Sequence, residues 1–196
     1  MNDIIFNIIL SLNNFIELHF YLSFIIYFLI SLIFFTFSLP GGVIISLSSG
    51  FFFGVIFGFL INVFSASFGS LIFIILSKSI LKKLFQKYYI KYSEKLSSFI
   101  KKTSFEYLIL IRLLFGTPLI FQNICISILK VSNFKIFTSS IIGFTPYMLL
   151  FSYIGSYASN IFELKNINVS EIFSLEIILI LLILIFLIIL KIFIKK

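Results

Sequence analysis

Charge is what this sequence has least of. From Leu18 to Ser77 it contains no aspartate, glutamate, lysine or arginine, and only 11% of its 196 residues are charged while 61% are apolar. A soluble domain carries roughly 25% charged residues, so that class is excluded. The uncharged stretch is longer than two membrane spans of about 20 residues each and short for three. The single cysteine, Cys125, rules out an intrachain disulfide or a cysteine metal cluster. The single histidine, His19, has no sequence neighbour to work with and suits a membrane interface. There is no histidine–carboxylate pair, metal-ligand cluster, nucleophile with a base, or glycine loop of the nucleotide-binding kind, so nothing points to an enzyme or a cofactor.

What charge there is has a pattern. The net charge of +8 would suggest nucleic acid in a soluble protein. In a membrane protein it reads as a topology signal facing anionic headgroups, so no nucleic-acid partner is expected. The only arginine, Arg112, lies inside an apolar stretch from Phe105 to Lys130 and is followed by Gly116, Thr117 and Pro118. Lys101 and Lys102 precede the stretch, while Lys130 and Lys135 close it. A crossing helix would put one lysine group on each side of the membrane, against the positive-inside tendency. A re-entrant hairpin over 105–130, turning near Gly116, keeps both inside. Arg112 would then lie about 15 Å beyond Lys102, near the midplane of a core roughly 30 Å thick. Burying it there on an isolated helix costs about 2.5–3.5 kcal/mol. It either faces an anionic substrate or caps orphan carbonyls at the hairpin tip.

Taken in order, residues 1–19 pattern as a short interfacial helix that remains on the protein, or as a polar end to the first span. Residues 20–38 supply a first span. Pro40, Gly41 and Gly42 then break the helix, and a hairpin over 40–53 leaves 55–77 for a second span. Gly50, Gly54 and Gly58, continued by Asn62 and Ala66, place one smooth stripe on a helix where another backbone approaches closely. Residues 78–102 read as a basic amphipathic segment on the cytoplasmic surface, with Glu94 as its only acid. Residues 134–158 form a third span, kinked and small-surfaced through Gly143, Pro146 and Gly155. A polar loop follows over 159–174, and 175–194 is a final lipid-facing span.

This arrangement leaves every lysine but Lys165 cytoplasmic, with both termini inside. Hairpin-plus-span occurs twice, at 40–77 and 105–158, in opposite orientations, as in inverted-repeat transporters. The expected fold is therefore an all-α membrane protein with two oppositely oriented re-entrant hairpins. Abundant Ile, Phe, Lys and Asn suggest an AT-rich bacterial genome, hence a bacterial inner membrane.

Two stretches, LPGGVIISLSSGFFFGVIFG and RLLFGTPLIFQN followed by GFTPYMLLFSYIG, resemble the VTT-domain family, also called SNARE-associated or DedA-like, in its Tvp/TMEM branch. In that family an arginine is followed three and six residues later by prolines and then by an asparagine. Arg112, Pro118 and Asn123 match; Phe115 replaces the first proline and Ser127 a following glycine. Pro146 and Gly155 match downstream positions, and the resemblance covers about 20–160. It implies two opposed re-entrant hairpins and scramblase- or flippase-like lipid handling, including recycling of undecaprenyl phosphate. DedA-like members also carry embedded acids near the first hairpin, whereas this chain has none between Glu17 and Glu94. Proton-coupled transport is thereby disfavoured relative to passive equilibration.

Three functions compete. A lipid or lipid-phosphate translocator would use Arg112 for an anionic phospholipid or polyprenyl-phosphate headgroup, with Thr117, Pro118 and Asn123 beside it; an arginine fork suits phosphate. A small-solute permease could use the same cavity. A non-transporting membrane-assembly factor would need Arg112 only structurally. Assembly into a homo-oligomer stays open.

Overall fold

The computed structural model describes residues 2–84, 105–114, 116–129 and 131–164. All the regular elements among the described residues are helices. Helix α1 spans Asn2–Leu18 and α2 spans Phe20–Thr36. The next helical stretch, Gly42–Leu84, is broken at Gly54 (φ 73°, ψ 178°); its limbs, 42–53 and 55–84, are labelled α3 and α4. Then follow α5 (Phe105–Leu113), α6 (Leu119–Ser127) and α7 (Asn133–Leu164). The compact unit Met1–Ser156 holds both hairpins; a second unit, Tyr157–Lys196, begins within α7.

Two helical stretches among the described residues, Gly42–Ser79 and Asn133–Ser159, are long and apolar enough to cross a membrane by length and composition, the first by its limb after Gly54; the pair Ser11–Leu18 and Phe20–Thr36, bent by 114°, is a third if it counts as one. The interfacial segment expected at the amino terminus is helical and turns sharply into α2. The basic segment of 78–102 is helical to Leu84; the remainder and the span at 175–194 lie outside the described residues. Residues 159–164 of the expected polar loop are helical instead, because α7 continues to Leu164, and its remainder lies outside the described residues.

The break at Gly54 reverses the chain. Asn62 Nδ2 donates to the Ser46 carbonyl at 2.9 Å and Ser49 Oγ to the Gly58 carbonyl at 3.3 Å, a register in which α3 and α4 run antiparallel about Gly54. A Cβ at Gly58 would lie 2.8 Å from Gly50 Cα. The glycine spacing therefore does not make a stripe on one helix. Gly50 and Gly58 face each other across two limbs. Gly54 is the hinge, with nothing within 4 Å of where its Cβ would be. Its conformation is essentially restricted to glycine.

The first hairpin also differs from its expected bounds. Residues 42–53 are a single limb, and the other limb is α2. Tyr27 donates to the Ile45 carbonyl at 2.8 Å and bonds Ser48 at 2.6 Å, while Phe20 packs on Phe53 and Phe35 sits against Gly42. These pairs make α2 and α3 antiparallel, with residues 37–41 as the tip. The proline and glycines break the chain as expected, but they form the turn inside a hairpin and not the start of one. Gly41 (φ 98°) and Ser38 (φ 49°) take the left-handed conformations of that turn.

The second hairpin consists of α5, a turn that includes Gly116 at φ 86°, and α6. Relative to α4, the two hairpins point at each other. Phe57 meets Phe20 at the base of the first, and Gly69 meets Phe35 and Thr36 near its tip. Ala66 shares a core with Phe35, Met148 and the second hairpin's Leu119, while Ile74 packs with Leu108 and Ile126 farther along. Helix α7 runs against both. Gly50 and Gly155 admit close approach of α3 and α7, and Gly143 does so for α5 and α7. Pro146 is carried inside α7.

Candidate functional site

The hairpin tips meet over a cavity of about 490 Å³. One side is built by Ser38, Pro40, Gly41 and Gly42 of the first tip. The other is built by Gly116, Thr117, Pro118 and Gln122 of the second, with Tyr147 and Met148 of α7 between them. Its size falls in the range of small-molecule pockets, and most of its wall is apolar with a few placed polar groups. No acidic, basic or histidine side chain is found among the described residues of the wall.

Two helices begin at this wall. The first helical bonds of α3 run from the Ile44 and Ile45 amides to the Gly41 carbonyl, so the amides of Gly42 and Val43 precede them. In α6 the Phe121 and Gln122 amides bond the Pro118 carbonyl, leaving those of Leu119 and Ile120 ahead of the ladder. Gly42, Val43, Leu119 and Ile120 all line the cavity. First-turn amides have no intrahelical partner, and the macrodipole makes each such end attractive to anions.

Arg112 lies behind this wall and not on it. It is 0% exposed, the largest fully buried side chain among the described residues. Its Nε donates to Ser140 Oγ at 3.1 Å and its Nη1 to Asn123 Oδ1 at 2.7 Å. The guanidinium carbon sits 4.9 Å from the Phe144 ring centroid, a cation–π contact worth about 2 kcal/mol when desolvated. Nη2 has no hydrogen-bond partner among the described residues. Tyr147, on the cavity wall, is within electrostatic reach of the guanidinium. The cation is thus held by two neutral oxygens and a ring face, an arrangement that leaves its charge largely uncompensated.

Asn123 couples the hairpins. Besides accepting from Arg112, it donates from Nδ2 to Ser38 Oγ at 3.0 Å, so a buried chain runs from α5 through α6 to the opposing tip. Of the residues singled out in the sequence, Pro40, Gly41, Gly42, Gly116, Thr117 and Pro118 line the cavity. Arg112 and Asn123 stand in the layer behind, and Gly50, Gly58, Gly143 and Gly155 are packing contacts. Ser38, Gln122, Phe144 and Tyr147 were not singled out. Gln122 and Ser38 had a visible signal, as polar residues within or beside the two tip motifs.

A model of the VTT domain matches residues 39–157. The chain belongs to the VTT-domain family. That match takes in both sides of the cavity, from the first tip's Leu39 to the α7 residues that back the second. No curated protein and no solved structure matches the chain. With its apolar helices, this VTT-domain protein is a membrane protein, and its family is consistent with transport or a lipid-related role.

Proposed function

We propose that this VTT-domain protein moves lipids or lipid phosphates across a bacterial inner membrane, with both termini cytoplasmic and the hairpins entering from opposite faces. The observation that carries the reading is the convergence of two helix N-termini on one cavity backed by a fully buried arginine whose charge is uncompensated among the described residues. A phosphate is the group such a site complements: first-turn amides donate to its oxygens, and each helix end adds about 0.3–1 kcal/mol, up to about 2 where partly buried. Broken helices whose N-termini face an anionic substrate recur in inverted-repeat transporters.

In this reading the headgroup rests between the tips while acyl chains stay in lipid along the apolar outer faces, such as that of Ile25, Leu29 and Ile33. Passage from one face to the other requires the tips to part, which breaks the Asn123–Ser38 bond. No acid lies between Glu17 and Glu94, so passive equilibration of the two leaflets is favoured over proton coupling. Arg112 acts on the phosphate through its field and through Asn123. A small-solute permease using the same cavity is the second reading, favoured by the cavity's modest volume.

Purified protein in liposomes, assayed for fluorescent-lipid movement beside solute uptake, separates the two. Lipid movement above protein-free liposomes, without solute uptake, supports the proposal; uptake without lipid movement overturns it.

A further inference from the structure

We infer that Gln122 is a specificity residue that selects headgroups bearing hydrogen-bond donors, an ammonium or a hydroxyl, next to the phosphate. The inference rests on the lipid-translocation reading above. Gln122 lies on the cavity wall, 5% exposed, and its Oε1 is buried without a partner among the described residues.

The orientation of its amide is fixed by its neighbours. Nε2 donates to the Leu114 carbonyl at 3.3 Å and to Thr117 Oγ1 at 2.7 Å. A carbonyl only accepts. The Thr117 hydroxyl has its own hydrogen committed to the same Leu114 carbonyl at 2.8 Å, so its oxygen accepts from the amide. Flipping the amide would set Oε1 against the Leu114 carbonyl, two acceptors together. Nε2 is therefore held on the tip and Oε1 is the end left without a partner.

The other hydroxyls on the wall reinforce the bias. Ser46 Oγ donates to the Gly42 carbonyl at 2.9 Å, and Ser38 Oγ donates to the Phe35 carbonyl at 3.5 Å while accepting from Asn123. The hydrogens of Ser46 and Thr117 are committed, and what these two side chains can offer a ligand is lone pairs. Besides the Tyr147 hydroxyl, the donors among the described residues of the wall are the helix-start amides, which suit a phosphate. A headgroup whose phosphate meets those amides and whose far end carries N–H or O–H groups satisfies both halves of the site. An orphaned buried acceptor is the kind of group whose pairing a ligand is selected for.

The test compares phosphatidylethanolamine with phosphatidylcholine, which share a zwitterionic charge but differ in whether the nitrogen carries hydrogens. Rates are measured in proteoliposomes with the protein-free rates subtracted, and expressed as a ratio within each preparation so that folded yield cancels. The wild type should move the ethanolamine lipid about five- to tenfold faster. Gln122→Met should bring the ratio close to one by slowing the ethanolamine lipid, and Gln122→Leu, which likewise removes the acceptor, should do the same. If one variant does not fold, the other and the wild-type ratio still decide. A wild-type ratio of one, or an unchanged ratio in Gln122→Met, overturns the inference while lipid translocation stands. If the wild type moves neither lipid, the translocation reading itself fails.

Discussion

Replacing Gly54 by alanine gives opposite signs for a hinge and for a helix interior. In an uninterrupted helix, glycine is about 0.8–1.0 kcal/mol less favourable than alanine, so Gly54→Ala would stabilise the fold. In the structure Gly54 has φ 73° and ψ 178°, and nothing lies within 4 Å of its would-be Cβ. No overlap with neighbours is therefore involved, and the whole effect comes from the backbone. A non-glycine residue held in that region costs about 1–3 kcal/mol. Gly54→Ala should destabilise the protein by that amount, about five- to 150-fold in the folding equilibrium. Reversible unfolding in mixed micelles, followed by circular dichroism, reads the difference. Asparagine should not rescue the site, because its tolerance is for left-handed helical angles and not for this extended conformation. A neutral or stabilising Gly54→Ala would refute the hinge and restore a continuous helix from Gly42.

Other consequences follow from the packing. Gly50→Leu should prevent close approach of α3 and α7, since a Cβ there already overlaps the Ser152 backbone; loss of folded protein in detergent is the expected result, and normal yield would contradict the contact. Arg112→Gln and Asn123→Ala should each lose about 1.5–3 kcal/mol, as expected for a charged hydrogen bond, and a double-mutant cycle by the same unfolding assay should show them strongly non-additive. Additive losses would mean that the 2.7 Å bond couples nothing. In a protein whose Cys125 has been replaced, cysteines at 95 and 132 should react with an impermeant thiol reagent only from the cytoplasmic side; labelling of one from outside would make 105–130 a crossing segment.

Much of this architecture was legible because bilayer physics constrains it. An uncharged run, breaks at Pro40-Gly41-Gly42 and Gly116-Thr117-Pro118, and one arginine in an apolar stretch sufficed to place two turns and a buried cation. The pairing of limbs was not legible. A proline–glycine turn can open a hairpin or sit at its tip, and only the Tyr27 and Phe20 contacts distinguish the two. Glycines four apart mark a helix stripe when the chain is straight, but they mark two facing limbs when the middle one is a hinge. Periodicity cannot see a single φ/ψ pair. The cavity wall was half legible: tip residues were named, whereas Gln122 and Tyr147 depend on which helix faces inward, a tertiary fact. The sequence also left Arg112 between substrate contact and clamp, and the structure places it one layer behind the wall, bonded to Asn123 and Ser140.

The cavity between the tips is the centre of the proposal, and filling it tests that proposal most directly. Val43 and Ile120 are both exposed on its wall, so tryptophan at either can occupy the space without entering the core. The measurement is lipid translocation per folded molecule in proteoliposomes for wild type, Val43→Trp and Ile120→Trp. Loss of at least tenfold in both variants, with folded yield and unfolding midpoint unchanged, is the predicted result. Wild-type rates in two well-folded, cavity-filled proteins would contradict it, because lipid would then be crossing by a route that does not pass between the hairpin tips.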